Sequence, residues 1–263
     1  MKFYRVNALM LKYWYVGIRR IDRLLDVFYW PLIGLLVWGF TTYYISDLVK
    51  DNFIVSVLLG GAILWTFFNR AQYDIGIYIL EDFWSRNIVN LFASPIKNSE
   101  LITSIALFGL LRSVASFLFL LFVSYFLYSF NFLSIGIFYA TIFAFGLTLF
   151  GWAIGIFVIS MIFRFGTRLQ SFVWMIGWLI EPFSAVYYPL DSLPVWLQNL
   201  SMFFPTTYIF EGMRTAFRNS IIDWKALALS FAMNIIFLIL AYIFFEKSLK
   251  AAKKNGMLTK YQE

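Results

Sequence analysis

The sequence reads as an all-α integral membrane protein: a single domain, residues 1–263, with six transmembrane helices. Of its 263 residues 62% are hydrophobic and 13% charged, with a mean hydropathy of +0.77. A soluble domain is nearer half apolar and a quarter charged. The apolar residues gather into runs of about twenty or more, the length that crosses hydrocarbon, and the chain has room for about six of them and no sizeable soluble domain. The sequence has no Cys and no His. That removes disulfides, thiol nucleophiles, imidazole bases and almost all transition-metal sites together.

Residues 1–26 predict an amphipathic helix lying at the membrane interface. Arg5, Lys12, Arg19 and Asp26 recur every seven residues, with Asp22 and Arg23 beside them, and Leu9, Trp14, Val16 and Ile21 supply apolar surface. Lys12, Arg19, Arg20 and Arg23 interrupt the apolar run and no small-residue cleavage site follows, so a cleaved signal peptide is not expected.

The first span is residues 27–46, with Pro31 in its opening turn, where proline is tolerated. Asp47, Lys50, Asp51 and Asn52 form a short loop. Residues 53–79 return through the membrane, with Gly60 and Gly61 allowing close helix contact. Near its end Arg70 and Asp74 stand four apart, on one helix face. Residues 101–130 are the third span, interrupted by Arg112, Ser113 and Ser116. A tight connection at Asn131 leads into the fourth, residues 134–163, whose Gly151 and Gly155 have the spacing that lets helix backbones approach.

The fifth span, residues 169–186, loses its apolar run at Glu181-Pro182. Residues 187–218 are broken by Pro189, Pro194 and Pro205 yet stay rich in Trp, Phe and Tyr. They are too apolar for a solvated loop and too broken for a span, which predicts short helices in the outer leaflet with their backbone groups covered by protein. Residues 226–245 are the last span, followed by a basic tail.

Residues 80–99, LEDFWSRNIVNLFASPIKNS, are a polar island between two apolar runs. Trp84, Ile88, Leu91 and Phe92 fall on one face of a helix stopped by Pro95, while Asp82, Arg86, Asn87, Asn90 and Ser94 lie largely around the other. A surface helix showing its polar face to a cytoplasmic partner fits this spacing, and so does a polar loop tied to the headgroups. Basic residues set the orientation. With both termini inside, fifteen Lys and Arg fall on the cytoplasmic side and four on the other, which predicts cytoplasmic termini and a cytoplasmic segment 80–99. The formal net charge of +7 is thereby a topology signal, and no nucleic-acid partner is expected.

Two charges sit at membrane depth. Arg112 and Glu181 lie at depths that agree within roughly 3 Å at the rise of a helix, which predicts a buried ion pair acting either as a gate contact or as a static link. Tyr187, Tyr188, Trp196, Phe203, Phe204 and Tyr208 form an outer aromatic cluster, read as an interfacial belt or as a surface for a departing substrate. Glu211 and Arg214 are placed to pair across one turn. No GxxxxGK[ST], GxSxG, HExxH or paired-carboxylate arrangement occurs, so ATP hydrolysis or other catalysis in this chain is not expected.

This pattern resembles the ABC-2 family of ABC transporter permeases. The resemblance is strongest in residues 188–214, YPLDSLPVWLQNLSMFFPTTYIFEGMR, where Leu193, Pro194, Trp196, Leu197, Pro205, Tyr208, Glu211 and Arg214 occupy the positions of the family's outer signature, and in residues 28–39, FYWPLIGLLVWG. The resemblance implies a bacterial exporter of the plasma membrane. Two such subunits, identical or closely related, would dock on two copies of a separate ATPase that holds ATP and Mg, with no cofactor in this chain. Residues 80–99 would be the coupling helix, contacting the ATPase through Glu81, Asp82, Trp84, Arg86, Asn87 and Asn90. Pro194, Trp196, Pro205, Tyr208, Glu211 and Arg214 would help form the outer gate. Arg19, Arg20 and Arg23 before an aromatic span look closer to the branch exporting drugs and lipids than to the one exporting polysaccharides. The rival reading is an ion-coupled secondary transporter using Asp74, Arg112 and Glu181, with Glu181-Pro182 a broken helix at the binding site. No internal repeat supports it.

Overall fold

The computed structural model describes residues 1–49, 52–219, 222–256 and 258. Lys50 and Asp51 of the expected first loop, and Lys260 of the basic tail, lie outside the described residues. All regular structure among the described residues is helical.

Helix α1 (Phe3–Arg19) buries Val6, Leu9, Tyr13 and Gly17, a one-sided stripe at helical spacing. It lies on the start of α5 (Asn98–Tyr128), where a Cβ on Gly17 would meet Phe108 and Tyr78 at 3.5 Å. The interfacial helix stops earlier than residue 26. Arg20 takes an extended conformation (φ −108°, ψ 105°), and α2 (Ile21–Val49) begins at once. Asp22 then falls in the first turn of α2, where the helix dipole favours an acid.

Because α2 starts so early, Pro31 sits in its interior and not in its opening turn. A proline there leaves the carbonyl of Val27, four residues back, without its helical donor. The Ser116 hydroxyl of α5 supplies one, donating to Val27 O at 2.6 Å. The serine that interrupts an apolar span thus meets a backbone demand in a place with no water.

Helix α3 (Asn52–Trp84) is the axis of the bundle. At 1.5 Å per residue it is about 50 Å long, well over the roughly 30 Å of hydrocarbon, so it overhangs. The segment at residues 80–99 is therefore not one helix. Its first five residues complete α3, residues 85–87 turn, and only α4 (Ile88–Ala93) remains as a separate helix before Pro95. Ser94 is extended (ψ 157°), as the residue before a proline prefers.

Helix α6 (Ile137–Phe165) follows a tight link in which the Asn131 side chain accepts from Leu133 N–H at 3.0 Å. It packs on α3 through the expected glycines. A Cβ on Gly151 would stand 2.7 Å from Phe68 O, and one on Gly155 2.8 Å from Gln72 O. In their most apolar stretches α3 and α6 are 67% buried, against 17% for α2 and 22% for α10 (Trp224–Lys254), so α3 and α6 form the core and α2 and α10 flank it.

Among the described residues, five helices are long and apolar enough to cross a membrane: α2, α3, α5, α6 and α10. The expected fifth span does not fold as a sixth such helix. It gives α7 (Phe172–Ile180), about 13 Å long, and a 3-10 turn over Glu181–Phe183. The segment nevertheless climbs α3. Val173 packs on Gly76 and Val186 on Gly61, positions about 22 Å apart along that helix. The chain returns through α8 (Val195–Ser201) and α9 (Pro205–Asn219). α9 seats Ile209 beside Gly146 and Met213 beside Gly60, each about 12–14 Å in from the nearer end of its helix. Lys2 N–H donates to Glu100 at 2.7 Å and Asn98 to Glu246 at 3.0 Å, so the start of α1 and the end of α10 lie at the same end of the bundle.

Candidate functional site

Six charges on α2, α3 and α5 form one network, most of it buried. Asp74, fully buried on α3, accepts from Arg112 at 2.7 Å and from Arg70, one turn away, at 3.0 Å. Arg112 also donates to Tyr78 Oη at 3.0 Å and to Arg23 O at 2.8 Å. Arg70 donates to Asp26 O at 3.0 Å, and Arg23 reaches Glu81 at 2.6 Å. Arg23, Arg70 and Arg112 are thus balanced by Asp26, Asp74 and Glu81. An uncompensated charge at such a depth is costly, and the balance removes that cost.

The expected Arg112–Glu181 pair is absent. Glu181 instead accepts from Tyr187 Oη at 2.8 Å, and that phenol ring stacks on Trp38 with centroids 3.6 Å apart. A level with Arg112 requires regular helix over residues 169–181, whereas the chain turns through a 3-10 segment over Thr167–Leu169 before α7 begins. The sequence also carries the observed partner of Arg112. Asp74 is an acid on a span, and its distance along α3 from Trp84 matches that of Arg112 along α5 to within about a helical turn or two.

At the end of the bundle where α1 starts and α10 ends, the overhang of α3, the turn, α4 and the start of α5 make an exposed corner. α1 braces it from behind. Lys12 donates to Asp82 Oδ2 at 2.7 Å, Asn87 bonds Asp82 Oδ1 at 2.9 Å, and the Arg5 guanidinium reaches Pro95 O and Glu100. Buried Tyr13 lies in the same seam, and burial, reinforced by the charge of Asp82, pushes its phenol well above the ordinary value.

The bracing buries two of the expected contact residues. Glu81 and Asp82 are turned inward onto Arg23 and Lys12, with side chains only 10% and 5% exposed. Trp84 bonds Gln170 at 3.2 Å and faces Trp174. The exposed crest comprises Trp84, Ser85, Arg86, Val89, Asn90 and Ala93, with Pro95 and Lys97 exposed just beyond α4, while Ile88 and Leu91 anchor α4 in the core. Val89 carries no polar signal in the sequence, so its place on the crest shows only once α4 is known to be six residues long.

Arg86 sits at φ +60°, in the left-handed region. Its N–H bonds Phe83 O at 3.0 Å and closes the end of α3, a position that glycine fills without strain. An arginine there costs about 1 kcal/mol, and the crest keeps it all the same.

At the far end, Arg214 is a buried clamp. It donates to Ala185 O at 2.6 Å and to Glu211 at 2.9 Å, the expected one-turn pair. Glu211 in turn accepts Leu190 N–H at 2.7 Å. Residues 185–190 are thereby tied to α9. Pro205 opens α9 at its first turn, where its missing N–H is harmless, and Tyr208 Oη donates to Met202 O at 3.0 Å. Pro194 precedes α8, and Trp196 on α8 projects outward, as does Phe203. Of the outer aromatics, Tyr187 and Phe204 pack inward against the core, so the cluster is not one continuous surface.

A family model described as ABC-2 type transporter matches residues 9–217. No curated protein matches the chain.

Proposed function

Because the chain belongs to the ABC-2 type transporter family, and so is a multi-pass permease subunit that associates with an ABC ATPase, we propose that it is the membrane half of an ATP-driven exporter and that the braced corner is where the ATPase drives it. Two copies of this chain, or this chain and a close relative, dock on two ATPase subunits that hold the ATP and Mg. The exporter carries a hydrophobic or amphipathic substrate, drug-like or lipid-like, out of the cytoplasm by alternating access. It sits in the plasma membrane with both termini in the cytoplasm. The climb of residues 173–186 along α3 supports a sixth, broken crossing. The outer clamp of Glu211 and Arg214 supports a gate that moves as a unit with α9.

One observation carries the coupling role: an exposed crest, stiffened by ion pairs from behind, retains a strained arginine where glycine is the easy choice. A push on the crest is passed by Asp82 and Glu81 to α1 and α2, and by Asp74 and Arg112 across α3 to α5. Arg86→Gly, which removes the strain, tests this. The variant should fold at least as stably as the parent, with transport-linked ATPase activity reduced severalfold. Full coupling in Arg86→Gly and in Val89→Glu would remove the crest from the mechanism.

A further inference from the structure

We propose that the groove between α6 and α10 binds one acyl chain of an anionic phospholipid, whose headgroup is held by Arg164 and Lys247. The groove is about 380 Å³, is open on one side, and is lined only by Ala153, Ile154, Phe157, Phe237, Leu240, Ala241 and Phe244. The two helices run in the same direction, and the Phe157 and Phe244 rings meet across the groove at 5.5 Å. An apolar groove in a membrane-crossing bundle, open sideways, takes a hydrocarbon chain from the bilayer without a polar penalty.

What selects the lipid is the end of each wall. Phe157 to Arg164 and Leu240 to Lys247 are both seven residues apart, so each lining stripe continues, about 10 Å on, to a cation on the same helix face. Both cations lie towards the end of the bundle where α1 starts and α10 ends. Arg164 and Lys247 are exposed, and no carboxylate lies within 4 Å of either among the described residues. The nearest acid in sequence, Glu246, is taken by Asn98 and Tyr242. Long basic side chains at a helix end extend to the headgroup level while their stems stay in apolar surroundings. Two cations with no carboxylate partner among the described residues, Arg164 touching only the Phe165 ring at 6.0 Å, stand above an apolar slot and match a phosphodiester with its chain, and a zwitterionic lipid satisfies them less well.

Native mass spectrometry of the full chain with its co-purifying subunits, titrated with phosphatidylglycerol or phosphatidylcholine, reads the site directly. Phosphatidylglycerol should be retained preferentially, and each of Arg164→Gln and Lys247→Gln should weaken that retention by about fivefold. Leu240→Trp, on an exposed position that tolerates bulk, should block the slot while leaving both cations in place. Phosphatidylglycerol with a photoreactive acyl chain should label peptides containing Phe157 and Phe244. Equal retention of the two lipids, or retention unchanged in all three variants, would mean a non-selective annular lipid and overturn the proposal. Loss in the charge variants with no effect of Leu240→Trp and no labelling of the groove would also overturn it, by placing the lipid elsewhere on the basic rim.

Discussion

Asp74→Asn is the sharpest test of how the bundle is held together. The substitution keeps the shape of the side chain and removes one charge from a network in which three arginines face three acids. Asp74 Oδ1 accepts from two guanidiniums, at 2.7 and 3.0 Å. At an effective dielectric of about 20, each contact is worth roughly 5 kcal/mol before desolvation is counted. The net loss on breaking a buried pair is smaller, about 3–5 kcal/mol, most of it the cost of leaving a cation unmatched. Asp74→Asn should therefore lower the thermal midpoint of the detergent-solubilised protein by about 10 °C. The double variant Asp74→Asn, Arg112→Met restores neutrality and should recover half of that loss or more. An Asp74→Asn protein as stable as the parent, or a double variant whose loss is the sum of the two single losses, would refute the reasoning.

Charge reversal at Glu81 and Asp82 should damage the fold, since both acids face inward onto Arg23 and Lys12; limited proteolysis should show α1 released, and an intact α1 would contradict the bracing. Ser116→Ala should cost about 1–2 kcal/mol by leaving the Val27 carbonyl unpaired. Adding Pro31→Ala, which restores the helical N–H, should recover most of it, and thermal unfolding of the two variants makes the comparison. Gly151→Val should separate α3 from α6, because its Cβ would stand 2.7 Å from a backbone oxygen; a loss of about 3 kcal/mol or more is expected, read as a lower midpoint in the same assay.

Much of this architecture is legible in the residues. Apolar runs locate the long helices because only helices satisfy their backbone inside hydrocarbon. Gly151 and Gly155, Arg70 and Asp74, and Glu211 and Arg214 reveal their contacts because helical spacing alone brings such pairs to one face. What spacing does not reveal is the partner across helices. Arg112 finds Asp74 on α3, and Glu81 and Asp82 face α1 and α2, because those helices pack against that side of α3 where it runs on past residue 79. Helix ends are also hidden by polar residues: Asp22, Arg23, Asp26, Glu81 and Asp82 lie within α2 and α3, pairing with one another and with α1, so α2 begins before residue 27 and α3 runs on past residue 79. The fifth segment shows only part of its form in composition: its apolar run is that of a span, and Glu181-Pro182 ends the regular helix at nine residues.

The most direct test of the coupling account is a photo-crosslinker placed in turn at Asn90, on the exposed crest, and at Asp82, on the braced inner side, in tagged protein purified at native expression level. The account predicts a stoichiometric P-loop ATPase in the preparation, crosslinked from position 90 and not from position 82, with the crosslink blocking ATP-driven transport. A preparation with no ATPase partner, active in vesicles on an ion gradient alone, would contradict it.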